Sequence, residues 1–460
     1  MASVYQNSFL TLAATKSANS DGGCFSDPSL RSDYPLSFDS EAVGLYVREK
    51  FLHWDTVEGS CLLKEFPLLT RGWVYQERLL APRVLHFCQS ELVWECLKET
   101  TCECSCFNPT SMPKVEHAAA LRMAQPLFQA DSSPMSKKEK QSPSGRFIGE
   151  LSRNTIKMTD ALFGRSSAEL LDPKEKSSKS IQDIIEKQRA EIFTRERTKE
   201  DAILAVASIR SKWHEIVRDY SNLTLSMEAD RLPAIAGLAR QAQKCRIGSS
   251  YLAGLWEDSL DQDLLWRVDK LVPGFNHHRP PAYRAPSWSW ASVNGGVSYL
   301  KKRPSKGISG FRIKKAHCTP VPGADQFGQI VDGYLNVECI LLRAEVRYAP
   351  FADGNPRSMH YKLAMADNVV TLHADYSLCA QGQNQIKDGE EIFCLRVFRD
   401  DRSTISLVLR RQMSNVYERI GIAEFPIESS KGAPGAIVDV IEVPAVGSVS
   451  TSNLTTIMLC

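Results

Sequence analysis

The chain has 460 residues, of which 43% are hydrophobic and 24% are charged, and its formal net charge is +2. This composition is typical of a globular protein with two or three domains and argues against wholesale disorder. A net charge near zero gives no basic field around the molecule, so we expect no nucleic-acid partner.

The first residues and the cysteine content bear on the compartment. Residues 1–15 have no basic segment ahead of their short apolar run, so they do not predict a secretory signal. No stretch reaches 18 apolar residues, so we expect no membrane-spanning helix and no membrane partner. The 13 cysteines lie in a chain too large to need a disulfide scaffold, which favours a cytoplasmic protein with reduced thiols.

The first 106 residues predict one helix and several strands. Strands are expected at residues 5–15, 45–51, 83–88 and 91–96, where apolar residues form short runs or alternate with polar ones. The last two are separated by a tight connection and therefore predict a β-hairpin. The helix is expected to begin at Gly72 and to stop before Pro82.

Three regions of different character follow. Residues 107–180 are rich in Ser, Lys, Pro and Glu, which predicts a flexible insertion with one short helix near 155–163. Residues 181–279 predict helices, one of which begins near Pro233. Residues 280–460 predict an antiparallel, β-rich C-terminal region. Its predicted strands are at 333–348, 368–376, 390–399, 403–411 and 417–425.

The most distinctive segment is RGWVYQERLLAPRVLHF at residues 71–87. It resembles the last conserved block of the fungal heterokaryon-incompatibility (HET) domain, and residues 91–96 resemble the continuation of that block. Segments that resemble other parts of HET proteins occur in the same order, at 4–26, 230–239, 251–266 and 283–299. The matching signature residues are Arg71, Gly72, Trp73, Gln76, Glu77, Arg78, Leu79 and Leu80.

The resemblance implies a fold and a function. HET domains are similar to Toll/interleukin-1 receptor (TIR) domains, so residues 1–106 are expected to be the C-terminal part of a TIR-like HET domain within an α/β chain. HET proteins act in fungal non-self recognition and trigger programmed cell death, which implies protein partners. A non-catalytic interaction module, acting through residues 280–460, is an alternative.

Two earlier HET blocks are absent from the sequence, and Met1 corresponds to an internal methionine of the family. The resemblance therefore implies a HET domain truncated on its N-terminal side. A shortened gene model and a degenerate copy without function both explain this.

Glu77 is the residue on which an enzymatic function depends. In a helix from Gly72 it shares a face with Trp73 and Leu80. Its carboxyl is therefore expected to be desolvated, to have a raised pKa and to need a partner such as Arg71. A structural ion pair is one interpretation. The other follows from the resemblance, because some TIR domains cleave NAD with a glutamate; Glu77 would then be catalytic, with NAD as substrate of a complete HET domain.

Four cysteines crowd one short segment: Cys96, Cys102, Cys104 and Cys106. Thiolates at this density can hold zinc. The Cys-x-Cys spacing, however, lacks the Cys-x-x-Cys knuckle that wraps a tetrahedral ion, and no His or Cys pair follows closely. The sequence therefore predicts free thiols rather than a zinc site or another resident cofactor.

Several aromatic residues are expected to be structural. Trp73 and Trp94 are predicted to lie in the core, and His86 is predicted to be a hydrogen-bonded histidine without a catalytic role. Residues 286–293, PSWSWASV, are predicted to form a strand whose two tryptophans share one face and pack between the helical and β-rich regions.

Overall fold

A computed structural model shows a mixed α/β architecture. It describes residues 1–26, 34–38, 41–47, 50–107, 109, 111–129, 204–246, 248–269, 279–300, 310–350, 359–365, 368–399, 403–426 and 455–460. Within these ranges, none of the helices has the length and apolar character needed to span a bilayer.

The N-terminal region, as far as it is described, combines a small sheet with short helices. Its strands are β1 (Thr11–Ala13), β2 (Tyr34–Phe38), β3 (Glu41–Val47), β4 (Arg83–Phe87), β5 (Leu92–Cys96) and β6 (Thr100–Cys102). Its helices are α1 (Ala2–Gln6), α2 (Gly59–Glu65), α3 (Gly72–Leu80) and α4 (Pro113–Gln129). The sheet order is β1-β4-β5-β6, with β1 parallel to β4 and the other pairs antiparallel. Strands β2 and β3 pair with each other.

The predicted hairpin and the predicted helix are confirmed. Helix α3 ends at Leu80, and the following Ala81 is extended because proline disfavours helical geometry in the residue before it. The strand predicted at 5–15 is wrong for most of its length, since α1 occupies its start and β1 covers only three residues. Ala2 and Tyr5 pack against the main core, and this contact overrides the local preference.

Strand β3 covers only part of the strand predicted at 45–51. It ends at Val47, residues 48–49 lie outside the described ranges, and residues 50–51 have no regular structure.

Helix α4 lies inside the segment predicted to be a flexible insertion. Ala124 and Lys114 on this helix are fully or almost fully buried, so residues 113–124 belong to the packed structure. The sequence did not predict this amphipathic helix, because alanines supply most of its buried face. The short helix predicted near 155–163 lies outside the described residues.

The middle region is helical with short strand pairs. It contains α5 at 204–221, a 3₁₀ turn at Pro233–Ile235 and α6 (Ala236–Gln243), so the predicted helix start near Pro233 is confirmed. The remaining elements are β7 (Tyr251–Leu252), β8 (Leu255–Trp256), α7 (Leu260–Asp263), β9 (Trp266–Val268) and β10 (Val297–Tyr299).

Residues 286–293 are not a strand, contrary to prediction. Ser289 caps a 3₁₀ turn at Trp290–Ser292 by accepting a hydrogen bond from the Ala291 N–H. Small residues between the tryptophans allow this tight turn. Trp288 and Trp290 are nonetheless both fully buried in the core, as expected.

The C-terminal region is β-rich, as predicted. Its strands are β11 (Phe311–Pro320), β12 (Ile330–Cys339), β13 (Leu341–Pro350), β14 (Met359–Met365), β15 (Asn368–Ala374), β16 (Glu391–Arg399), β17 (Ser403–Met413), β18 (Val416–Pro426) and β19 (Thr455–Leu459). Neighbouring strands are antiparallel except β18 and β19, which are parallel. β13 to β18 close into a six-stranded barrel, because β17 pairs with both β16 and β18.

β18 also connects the barrel to an outer layer. Its first residues pair with β19, which pairs with β12, and β12 pairs with β11. Strand β16 shows how the cores are divided: Ile392 and Cys394 point into the barrel, whereas Phe393 and Leu395 belong to the large core shared with the helical region. Both faces of this strand are therefore buried, which explains its continuous apolar run.

His117 on α4 provides a pH-sensitive contact with α6. Its Nε2 lies 2.9 Å from Gln241 Oε1, and burial lowers the pKa of His117 to about 4, from an ordinary 6.5. Since the folded-state pKa is the lower one, the unfolded chain takes up the proton first. The stability that comes from keeping His117 neutral in the fold is therefore complete above pH 6.5 and is lost as the pH falls from 6.5 towards 4.

We expect protonation of His117 to lower the free energy of unfolding by about 2 kcal/mol between pH 7.5 and pH 5. Urea denaturation at the two pH values measures this loss. His117→Gln does not titrate and should lose about 2 kcal/mol less than the unmodified protein over the same interval. An equal loss in both proteins would assign the pH dependence to other groups.

Candidate functional site

The signature helix α3 buries a different face from the one expected. Gly72, Gln76, Leu79 and Leu80 are buried, whereas Trp73 and Glu77 lie at the border of this face and are only half-buried. The polar Gln76 can occupy the centre of the buried face because its Oε1 accepts a hydrogen bond from the Gly237 N–H.

Two further signature residues join α3 to the helical region. Gly72 N donates to Thr224 O at 2.7 Å, and a Cβ at this position would lie 2.7 Å from a methyl carbon of Leu225. A larger residue here would require the Leu225 side chain to shift. Trp73 is partly buried and packs against the main core, close to the prediction, and its Nε1 donates to Asp230 Oδ2 at 3.0 Å.

Arg78 makes the strongest polar contact of the helix. Its Nε and one terminal nitrogen each donate to a carboxylate oxygen of Glu95 at 2.8 Å, which makes a bidentate ion pair. His86 Nε2 lies 3.3 Å from the same carboxylate, and Lys114 Nζ lies 3.7 Å from it. Burial alone would raise the pKa of Glu95, but Arg78 and His86 hold that pKa well below its usual range. This carboxylate is therefore charged although only 1% of the residue is exposed.

His86 is a buried, hydrogen-bonded histidine, as predicted. Its Nδ1 lies 2.9 Å from Thr15 Oγ1. Burial lowers its pKa, so the ring holds both neighbours as a neutral imidazole. Trp94 lies on the opposite face of β5 and is only half-buried, so it is not a core residue.

Glu77 is partnered by α1. Its carboxylate interacts with the Tyr5 hydroxyl, and Arg71 contributes a weaker attraction; both lower the pKa of Glu77. Burial raises the pKa of Glu77, as the sequence predicted, and these two contacts partly oppose that shift. The same contact, added to burial, raises the pKa of Tyr5 to about 12. The ion pair that holds the helix to the sheet is Arg78–Glu95, not one made by Glu77.

The chain matches no protein-family model, no curated protein and no solved structure. The resemblance to HET proteins stays a prediction that rests on residues 71–87 and the accompanying segments.

A second group of functional side chains lies beside the sheet. We call it the His–Cys cluster, and it consists of His53, Glu91, Cys102 and Cys104. One ligand atom of each residue lies within 4.8 Å of those of the others. His53 and Glu91 are buried, and the two cysteines are half-buried. The pKa of the Cys104 thiol is raised to about 12, and burial is the largest cause of that increase.

The residues that sequence reasoning missed are Glu91, Glu95 and His53. In ELVWEC the alternation places Glu91 and Glu95 on the same face as buried Val93. Carboxylates on a buried face require charged partners or a cation, so this pattern was a usable signal. His53 gave none, because it precedes Cys104 by 51 residues and meets it only in the folded chain.

Proposed function

We propose that this chain is a HET-type protein of fungal non-self recognition that triggers cell death through protein contacts, made at the open edge of β1. The resemblance at residues 71–87 supports the family, and the exposed edge supports the mode of action. The proposal includes a TIR-like ancestry for the N-terminal sheet. The parallel pairing of β1 with β4, with α2 and α3 between them in sequence, supports it because such crossovers are typical of α/β domains.

The edge of β1 is the observation that carries the proposal. One side of β1 pairs with β4, and within the described ranges no strand pairs with its other side. Phe9, just before β1, and Leu12 within it have 81% and 60% of their surface exposed. Unpaired backbone groups beside exposed apolar side chains favour the addition of a strand from another protein.

An enzymatic role receives less support from the geometry. A carboxylate that stabilises a developing positive charge on a sugar must face the substrate. The Glu77 carboxylate instead faces the Tyr5 hydroxyl of α1. Its contacts are those of a residue that fastens α1 to α3.

Expression in a fungal host tests the proposal. We expect growth arrest with the unmodified chain and loss of the arrest with Leu12→Lys. A partner strand added beside β1 would partly bury the lysine charge, and the cost of that burial would oppose binding. Leu204→Lys is the matched control, since Leu204 is 62% exposed but lies on α5. It should remain toxic at equal protein level. Normal growth with the unmodified chain, or equal toxicity of the two variants, would overturn the proposal.

NAD cleavage is measured in the same experiment. We expect no nicotinamide release above that of the empty host, and we expect Glu77→Gln to be as toxic as the unmodified chain. Release of nicotinamide that disappears with Glu77→Gln would replace the contact mechanism with an enzymatic one.

A further inference from the structure

We propose that the His–Cys cluster binds one zinc ion and ties the loop before α2 to strands β5 and β6. The inference is independent of the proposed function, because the cluster and the β1 edge share no residue.

Two of the separations between the ligand atoms lie near those of a tetrahedral ion, and all of them are at most 4.8 Å. Cys102 Sγ and Cys104 Sγ are 3.2 Å apart, and Cys104 Sγ is 3.4 Å from His53 Nε2. His53 Nε2 is 2.7 Å from Glu91 Oε1. Ligands around tetrahedral zinc are about 3.3–3.8 Å apart, given metal–ligand distances of about 2.0–2.3 Å. The separation of 2.7 Å between His53 Nε2 and Glu91 Oε1 must therefore lengthen by roughly half an ångström before both atoms can bind one ion.

Glu91 points to a cation most directly. The residue is 2% exposed, and its Oε1 makes no hydrogen bond of regular geometry among the described residues but lies 2.7 Å from His53 Nε2, an ion-pair distance. A buried carboxylate oxygen needs positive charge beside it, and a cation held between Glu91 and His53 would supply that charge.

The surroundings of the cluster orient its ligands. Cys104 N donates to the second carboxylate oxygen of Glu91 at 3.0 Å. The backbone N–H groups of Phe107 and Cys106 lie 3.3 Å from Cys102 Sγ and 3.4 Å from Cys104 Sγ. Donors aimed at sulfur stabilise thiolate ligands. The turn that provides them places Ser105 at φ 56°, a left-handed conformation that a serine rarely adopts.

The ligand types select the metal and the role. Two thiolates and an imidazole disfavour calcium and magnesium, which prefer oxygen ligands, and favour zinc. Four protein ligands fill a tetrahedral shell, so the site is of the structural kind and leaves no position for substrate. Trp54 and Phe107, whose rings are 5.1 Å apart, form part of an apolar wall that limits water beside it.

Metal titration of the purified full-length chain tests the inference. After removal of metal with a chelator under reducing conditions, we expect one equivalent of zinc to bind in competition with a chromophoric chelator. Cobalt should bind in the same ratio and give the absorption of a tetrahedral ion with thiolate ligands. These two measurements need no variant. Binding well below one equivalent, or an octahedral cobalt spectrum, would overturn the inference.

Variants locate the site. Cys104→Ser and His53→Gln should each weaken zinc binding by at least about tenfold. Cys106→Ser is the matched control, because Cys106 is exposed and adjacent but outside the cluster, and it should bind as the unmodified chain does. Equal loss with Cys106→Ser would place the metal elsewhere. A Cys102–Cys104 disulfide that persists under reducing conditions would also exclude the site.

Discussion

Replacement of Arg419 by Met is expected to lower the free energy of unfolding by about 4 kcal/mol. Arg419 is fully buried at the junction between the barrel and the helical region. It binds Asp375 at 2.9 Å and 3.2 Å, donates to Leu264 O and Trp266 O, and stacks 3.5 Å from the Trp266 ring. Burial lowers the pKa of Arg419 and raises that of Asp375, so each charge is tolerated only beside the other.

An exposed ion pair of the same barrel is the control for that prediction. Arg343 lies 3.3 Å from Glu391, but their side chains are 75% and 51% exposed. Solvent screens this pair, so Arg343→Met should cost less than about 1 kcal/mol. Urea denaturation followed by tryptophan fluorescence measures both variants. Equal effects would show that the buried pair contributes no more than a surface one.

Arg78→Met is expected to destabilise the protein by about 3 kcal/mol. The substitution keeps the apolar length of the side chain but leaves the Glu95 carboxylate buried without its main partner. Lys114 at 3.7 Å compensates in part, which is why the expected loss is smaller than for Arg419. Arg83→Met, at the exposed end of β4, should change the free energy of unfolding by less than about 1 kcal/mol.

A second substitution separates charge from packing at this site. Glu95→Gln added to Arg78→Met removes the unpaired charge and should restore at least half of the loss. The pH dependence gives a further check. In the unmodified protein the pKa of Glu95 is lowered, so its stabilisation is present above its ordinary value of 4.5 and is lost as the pH falls below it. If the double variant restores none of the lost free energy of unfolding, the loss comes from packing and not from the unpaired charge.

Local patterns predicted the elements whose stabilising contacts are close in sequence. The hairpin of β4 and β5 follows from alternation and a short connection, and the end of α3 follows from Pro82. Five of the six barrel strands overlap predicted segments for the same reason, but β14 had no predicted counterpart, and the segment predicted at 333–348 is divided between β12 and β13. What failed depends on contacts across the chain: α1 is held by the main core, and the turn at Trp290 is set by the packing of both tryptophans.

The candidate sites show the same division. The motif around α3 was visible, but the partners of its residues were not, because Glu95 and Gly237 reach them only through the fold. Strand β19, in the outer layer beside the barrel, was not predicted from the sequence either.

The position of β19 has a kinetic consequence. This strand lies between β12 and β18 in the sheet, although a long stretch of sequence separates it from β12. Pairings between residues far apart along the chain require large loops to close, which costs conformational entropy before the paired strands stabilise the structure. Such pairings therefore slow folding. Until β19 docks, the facing edges of β12 and β18 remain open. The rate-limiting event in the folding of the outer layer is therefore expected to be the arrival of residues 455–459 between two strands that are already formed.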